Sequence, residues 1–157
     1  VYEQYFQEID KVKGQKGVLS VEKKLFVETN NGTNRQIRPI TPEQPLRIGD
    51  KVIVRLTIRT DREMNYVFLK DLRAGCFEPA DQLSGPESRD GIWYYRSPKD
   101  VSENFFINRL PEGTFVLEYP VYVSRSGEYA GGISTIQCMY APEFVSHTAG
   151  ESLRIMP

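Results

Sequence analysis

Histidine and cysteine are almost missing from this 157-residue chain, which holds one His and two Cys. With no His cluster, no CxxC pair and no HExxH, it has no zinc finger or zincin site of its own. GxGxxG and the Walker lysine are absent too, so no phosphate-cradling loop is encoded. No apolar run approaches the ~18 residues of a transmembrane helix. Neither sign of charge dominates: Lys+Arg 20 against Asp+Glu 21 leaves a net charge of -1. No basic excess exists to displace counterions from nucleic acid or from an anionic membrane, so neither is an expected partner. The chain starts at Val1 without a charged n-region and an apolar h-region. Either a signal was removed or this is a piece of something longer, and the abrupt start favours the piece.

Aromatic residues are plentiful, with 9 Tyr, 8 Phe and 1 Trp. Their enrichment beside scattered Gly and Pro favours strands over helices. The clearest strand is Lys51–Thr60, where Val52, Val54, Leu56 and Ile58 alternate with Ile53, Arg55, Thr57 and Arg59. Period two with arginines on the second face predicts one buried and one mostly solvated side. Met64–Leu72 alternates Tyr66 and Phe68 with Val67 and Leu69, and the short Asp61–Glu63 link predicts an antiparallel pair with the preceding strand. In Gly113–Arg125, the residues Phe115, Leu117, Tyr119, Val121 and Val123 share a face. Pro120 inside it predicts a bulge, an edge position or a switch of sheets. Gly132–Tyr140 places Ile136, Cys138 and Tyr140 together, and the loop at Ser126–Glu128 joins it to its predecessor. Leu19–Glu28, Gly91–Arg96, Glu103–Ile107 and Glu151–Met156 are further strands. Seven to nine short strands, spaced by turns and without a long helix, predict an all-β antiparallel sandwich. Under about a tenth of the residues are expected to be helical.

The first ten residues read two ways. Tyr2, Tyr5, Phe6 and Ile9 have the i, i+3, i+4, i+7 spacing of an amphipathic helix, yet no cap is present and an extended strand fits equally. Lys11–Gly17 is a polar, glycine-containing linker. Residues 1–17 are therefore expected to be an arm and linker from a preceding unit, and residues 18–157 the domain. So apolar a terminus predicts docking on an apolar surface or a weak dimer through the arm. Deleting residues 1–10 is expected to leave the sandwich folded.

Chemistry is sparse. His147, near Glu143 and Glu151, reads as a general base or as a loop histidine with a local hydrogen bond; without a GxSxG nucleophile motif the second reading is simpler. No nucleophile–base pair, catalytic residue, cofactor site or metal site is assigned, and the chain is read as not an enzyme. In Trp93-Tyr94-Tyr95 strand alternation sends Tyr94 opposite to its neighbours. One face is then covered by another domain or a ligand, or the strand is buried on both sides. Cys76 and Cys138 either form a disulfide or remain as buried thiols.

Several words occur in a telling order. Asp71-Leu72-Arg73-Ala74-Gly75, then Cys76-Phe77-Glu78-Pro79, resembles the D-x-x-[PR]-A-G-F-E-P segment of bacterial alpha-2-macroglobulin-like proteins, with Cys76 as one inserted residue. Leu110-Pro111-Glu112-Gly113-Thr114-Phe115 with Tyr119 is similar to L-P-x-G-T-[YF]-x-x-x-Y, and Cys138-Met139-Tyr140-Ala141-Pro142-Glu143 is similar to the M-Y-x-P-E close of the same domain. Tyr5-Phe6 with Asp10-Lys11, the run Leu19–Phe26 and Ile48–Val52 resemble the entry of Bacteroidetes members into it. The resemblance implies an immunoglobulin-like, macroglobulin-like sandwich. It implies a non-catalytic C-terminal domain of a large protease-trapping protein, without a Cys-x-Glu-Gln thioester of its own and without a cofactor. Its partners would be other domains of its parent chain, through Trp93, Tyr94, Tyr95, Tyr2, Tyr5 and Phe6, and target proteases through the full-length protein. The parent would be periplasmic or cell-envelope-associated, held by a lipid anchor. A stand-alone carbohydrate-binding sandwich, with Trp93, Tyr94 and Tyr95 as a stacking platform, is the alternative.

Overall fold

A computed structural model describes residues 18–31, 34–40, 45–80, 85–89, 92–99, 101–150 and 152–157. The arm residues Tyr2, Tyr5 and Phe6, and the whole of 1–17, lie outside them. In chain order the strands are β1 (Leu19–Asn31), β2 (Asn34–Pro39), β3 (Leu46–Arg47), β4 (Lys51–Thr60) and β5 (Met64–Leu72). Then come β6 (Phe77–Pro79), β7 (Gly85–Arg89), β8 (Ile92–Pro98), β9 (Ser102–Leu110) and β10 (Gly113–Val123). The last are β11 (Gly127–Ala130), β12 (Ser134–Cys138), β13 (Val145–His147) and β14 (Ser152–Met156). No helix occurs among the described residues. The fourteen strands among the described residues exceed the expected seven to nine, because two- to five-residue edge pieces such as β3, β6 and β13 carry no readable alternation.

Two large sheets form the sandwich. One has the order β13-β12-β5-β9-β8-β7 and the other β2-β1-β4-β10-β6, while β11-β14-β3 makes a small third sheet. Among the described residues all pairings are antiparallel except β14 with β3. The alternation seen in β4 and β10 becomes the inner face of the five-stranded sheet: Val52, Val54, Leu56, Ile58, Leu117, Tyr119, Val121 and Val123 are buried. Val67, Leu69, Phe105, Ile107 and Ile136 supply the opposing layer. At roughly 1.5–3 kcal/mol per buried large side chain, this interior is the main favourable term.

Several sequence expectations need correction. β4 and β5 do not pair. β4 is flanked along its length by β1 and β10 in unbroken ten-residue registers, so it has no free edge. The Asp61–Glu63 link instead crosses between layers, its turn tied by a hydrogen bond from the Thr60 hydroxyl to the Arg62 carbonyl at 2.7 Å. The connection at Ser126–Glu128, expected as a loop, instead runs into β11, and β10 and β12, on either side of it in sequence, fall in different sheets. Pro120 sits in an unbulged register opposite Ile53. Its carbonyl faces β6, accepting from Ala80 at 3.4 Å, so its nitrogen also points away from β4 and no β4 ladder bond is lost. Tyr140, expected to share a face with Ile136 and Cys138, lies beyond β12 and is exposed, whereas those two are buried.

Candidate functional site

The aromatic residues of β5, β8 and β9 divide by strand alternation. Tyr94 is 5% exposed, its ring 5.7 Å from that of Phe105 in the core. It faces away from Trp93 and Tyr95, as the alternation predicts, and so it is no part of an outward contact surface or stacking platform with them. Trp93 and Tyr95 point outward, Trp93 being 70% exposed. The register puts Tyr95 opposite Phe106 and Phe106 opposite Phe68, forming a row across three adjacent strands. The Phe68 and Phe106 rings are 4.8 Å apart, as are those of Tyr66 and Tyr140. Tyr66 adopts the left-handed conformation, φ 60, which is costly for a bulky residue. Its carbonyl accepts from the Met139 amide at 2.8 Å, which tethers the Tyr140 segment to this face. Together these rings expose on the order of 500 Å² of aromatic surface. That is a continuous patch rather than scattered apolar residues, and patches of this size mark interaction sites.

Beneath this face lies a buried ionic cluster that holds the layers together. Asp71 and Glu103 are register partners on β5 and β9, and both side chains are fully buried. Like charges directly opposite on a sheet repel. Three cations offset them. Lys23 of β1 reaches across to Asp71 at 2.7 Å and also donates to the Gly132 carbonyl at 3.0 Å. Arg73 donates through Nη1 to Glu103 at 2.9 Å and to the Ser102 carbonyl at 3.2 Å, and Arg96 donates to the other Glu103 oxygen. The Tyr119 hydroxyl, from β10, donates to Asp71, as does Ser134 at 2.7 Å. Lys23 and Tyr119 therefore pin the five-stranded sheet to the six-stranded one. Burial pushes Glu103 above the ordinary carboxylate value, with both arginines pulling it back. Burial, and then the Asp71 charge, hold the Tyr119 phenol well above its usual range.

Ser134, Asp71, Lys23 and Tyr119 are residue types used in acid–base catalysis, yet Ser134 and Asp71 have no exposed surface. A substrate cannot reach them, and their arrangement is a clamp between sheets. His147 ends the edge strand β13 opposite Thr135 and is exposed, unlike the buried cluster. Of the cluster, the sequence raised only Asp71 as a site candidate, as one of several carboxylates (with Asp61, Asp90, Asp100 and Glu78) that could form a catalytic pair, and its full burial removes it from that role. The signal was partly present, since Asp71, Arg73 and Tyr119 fall within the motif words and Lys23 within the Leu19–Phe26 run, but Arg96, Glu103 and Ser134 carry no local mark.

Cys76 and Cys138 are both buried and both free. Burial raises the Cys76 thiol to about 11. A folded value above the unfolded one means a stability contribution that is complete below about pH 9 and lost as pH rises toward 11. At pH 7 a thiol reagent is expected to titrate neither cysteine in the native chain and both in denaturant. Rapid modification of one thiol in the native chain would contradict the burial of both.

Residues 19–143 match the family model described as the bacterial alpha-2-macroglobulin MG10 domain. Salmonella alpha-2-macroglobulin reacted with methylamine superposes with a TM-score of 0.68 and 22% identity, over 89% of this chain and 9% of that one. Trypsin-activated Escherichia coli alpha-2-macroglobulin gives 0.67 and 17%, over 89% and 10%. These two likenesses show a shared fold. Among curated proteins, the circularly permutated Ras protein 2 of Dictyostelium discoideum is 28% identical over 109 residues, 69% of this chain and 3% of that protein. The chain thus spans a tenth or less of the length of these relatives.

Proposed function

This chain belongs to the bacterial alpha-2-macroglobulin MG10 domain family, and from that membership we propose that it is the C-terminal, non-catalytic domain of a large protease-trapping protein. It acts by packing its aromatic face on sibling domains. The parent is of the Bacteroidetes type, is lipid-anchored in the periplasm or cell envelope, and engages target proteases as a whole. The observation that carries the packing role is the exposed row of Phe68, Phe106 and Tyr95, extended by Trp93, on a sheet whose other face is already filled. An aromatic patch of this kind is stabilised by cover: each ring that becomes buried contributes about 1.5–3 kcal/mol. Residues 1–17 serve as the arm from the preceding domain, and residues 18–157 as the folded unit.

The test uses the full-length parent. Trp93→Ala with Phe106→Ser is expected to loosen the domain within the parent, seen as earlier proteolytic release of this region, while leaving the melting temperature of the isolated 157-residue chain within a few degrees. Equal resistance of mutant and wild-type parents would sink the packing role. The isolated chain is expected not to inhibit trypsin-like or subtilisin-like proteases, and stoichiometric inhibition by it alone would overturn the non-catalytic, passive reading. The exposed Trp93 beside Tyr95 also suits a sugar-stacking platform. Saturable glycan binding that disappears in Trp93→Ala would favour that second reading.

A further inference from the structure

β4 pairs with β1 along one side over Leu19–Glu28, but β2 covers the other side only from Phe26 to Asn31. Among the described residues, Leu19–Leu25 has no strand partner on that second side. A matching gap occurs in β14. β11 pairs with Ser152–Ile155 on one side, whereas β3 reaches only Ile155 and Met156 on the other. Between these two open stretches runs a groove of about 530 Å³, lined by Lys23, Lys24 and Leu25 on one wall and Ser152, Leu153 and Arg154 on the other. A second groove of about 350 Å³ continues along Val21–Leu25. Unpaired strand edges offer backbone donors and acceptors to an incoming extended segment.

We propose that Val1–Asp10 of this same chain occupies the groove, adding an extended segment between β1 and β14. This goes beyond the packing role of the aromatic face and does not depend on it. Charge chooses the occupant. Lys24 and Arg154 are exposed cations on opposite walls of the groove. Val1–Asp10 carries Glu3, Glu8 and Asp10 with no Lys or Arg. Its Tyr2, Tyr5, Phe6 and Ile9 suit the apolar walls formed by Leu25 and Leu153. Reach also agrees. The seven-residue tether Lys11–Gly17 extends up to ~23 Å, close to the ~20 Å length of the open stretch Leu19–Leu25. Gly14 and Gly17 in the tether permit the reversal of direction that an antiparallel addition needs.

Hydrogen exchange on the 157-residue chain tests this. Alternate amides of residues 5–10 and of Val21–Leu25 are expected to exchange at least tenfold more slowly than in an unstructured peptide. Gln7→Pro with Ile9→Pro removes two donors and should return that protection at Val21–Leu25, while Lys51–Thr60 stays protected. Should the proline chain fail to fold, the surface reversal Lys24→Glu with Arg154→Glu gives the same readout: residues 5–10 lose protection, and Glu3→Lys with Glu8→Lys restores it. Peptide-like exchange of residues 5–10 in the wild-type chain would overturn the proposal, as would unchanged protection in both variants. So would a shift of Trp93 fluorescence in the proline variant, because it would place the segment on the aromatic face instead.

Discussion

Asp71→Ala is expected to destabilise the domain by about 3–5 kcal/mol, the usual result of removing one partner from a buried ionic group. The substitution leaves Lys23 without its carboxylate while the ammonium remains held by the Leu72 and Gly132 carbonyls in a side chain only 12% exposed. It also strands the hydroxyls of Tyr119 and Ser134 inside the sandwich, at about 1–3 kcal/mol for each unsatisfied group that cannot relax. For a domain of this size the melting temperature should fall by roughly 10 °C. Asp71→Asn keeps the shape and an acceptor but not the charge, and should lie between the two. A thermal or urea midpoint for Asp71→Ala within about 1 kcal/mol of wild type would show that the sheets are not held together by this cluster.

Gly132→Ala should be about as damaging, for a purely steric reason. A Cβ added at Gly132 would lie 1.7 Å from the Leu72 carbonyl oxygen and 2.4 Å from its carbon. Both are backbone atoms and cannot turn aside. Either β5 or the approach to β12 must move, and Lys23 bonds to the carbonyls of both Leu72 and Gly132. Overpacking typically costs about 1–3 kcal/mol and more where backbone is displaced, so a loss of at least about 3 kcal/mol is expected. Gly75→Ala is the control, because its added Cβ would meet only the Tyr129 ring at 3.5 Å. If the two variants melt together, the close approach at Gly132 is not a constraint.

The large strands were legible because their burial has period two. β4 and β5 have the expected bounds, and β10 differs only at its C-terminal end, since each presents three or four buried apolar residues to one interior. Which strands pair was not legible. Adjacency in sequence suggested β4 with β5, but pairing is decided by free edges and interior faces, which depend on strands far away in sequence. The aromatic face was half readable: alternation separates Tyr94 from Trp93 and Tyr95, whereas Phe68 and Phe106 join the patch only through register. The ionic cluster was the least readable part. Lys23 and Asp71 are ordinary members of polar stretches, and only the crossing of β1 over β5 makes them a buried pair.

The parallel pairing of β14 with β3 joins Ile155 to Leu46 and Met156 to Arg47, so the last strand closes on one made roughly a hundred residues earlier. Such long-range pairing is slow to form. During synthesis at about 5–20 residues per second, Leu46 waits several seconds or more for its partner. Throughout that interval the nascent sandwich lacks the strand carrying Leu153 and Ile155, and the apolar surface they cover stays open on the ribosome. This is the stage at which a chaperone has most to protect, and at which a translational pause before Ser152–Met156 emerges would be most costly.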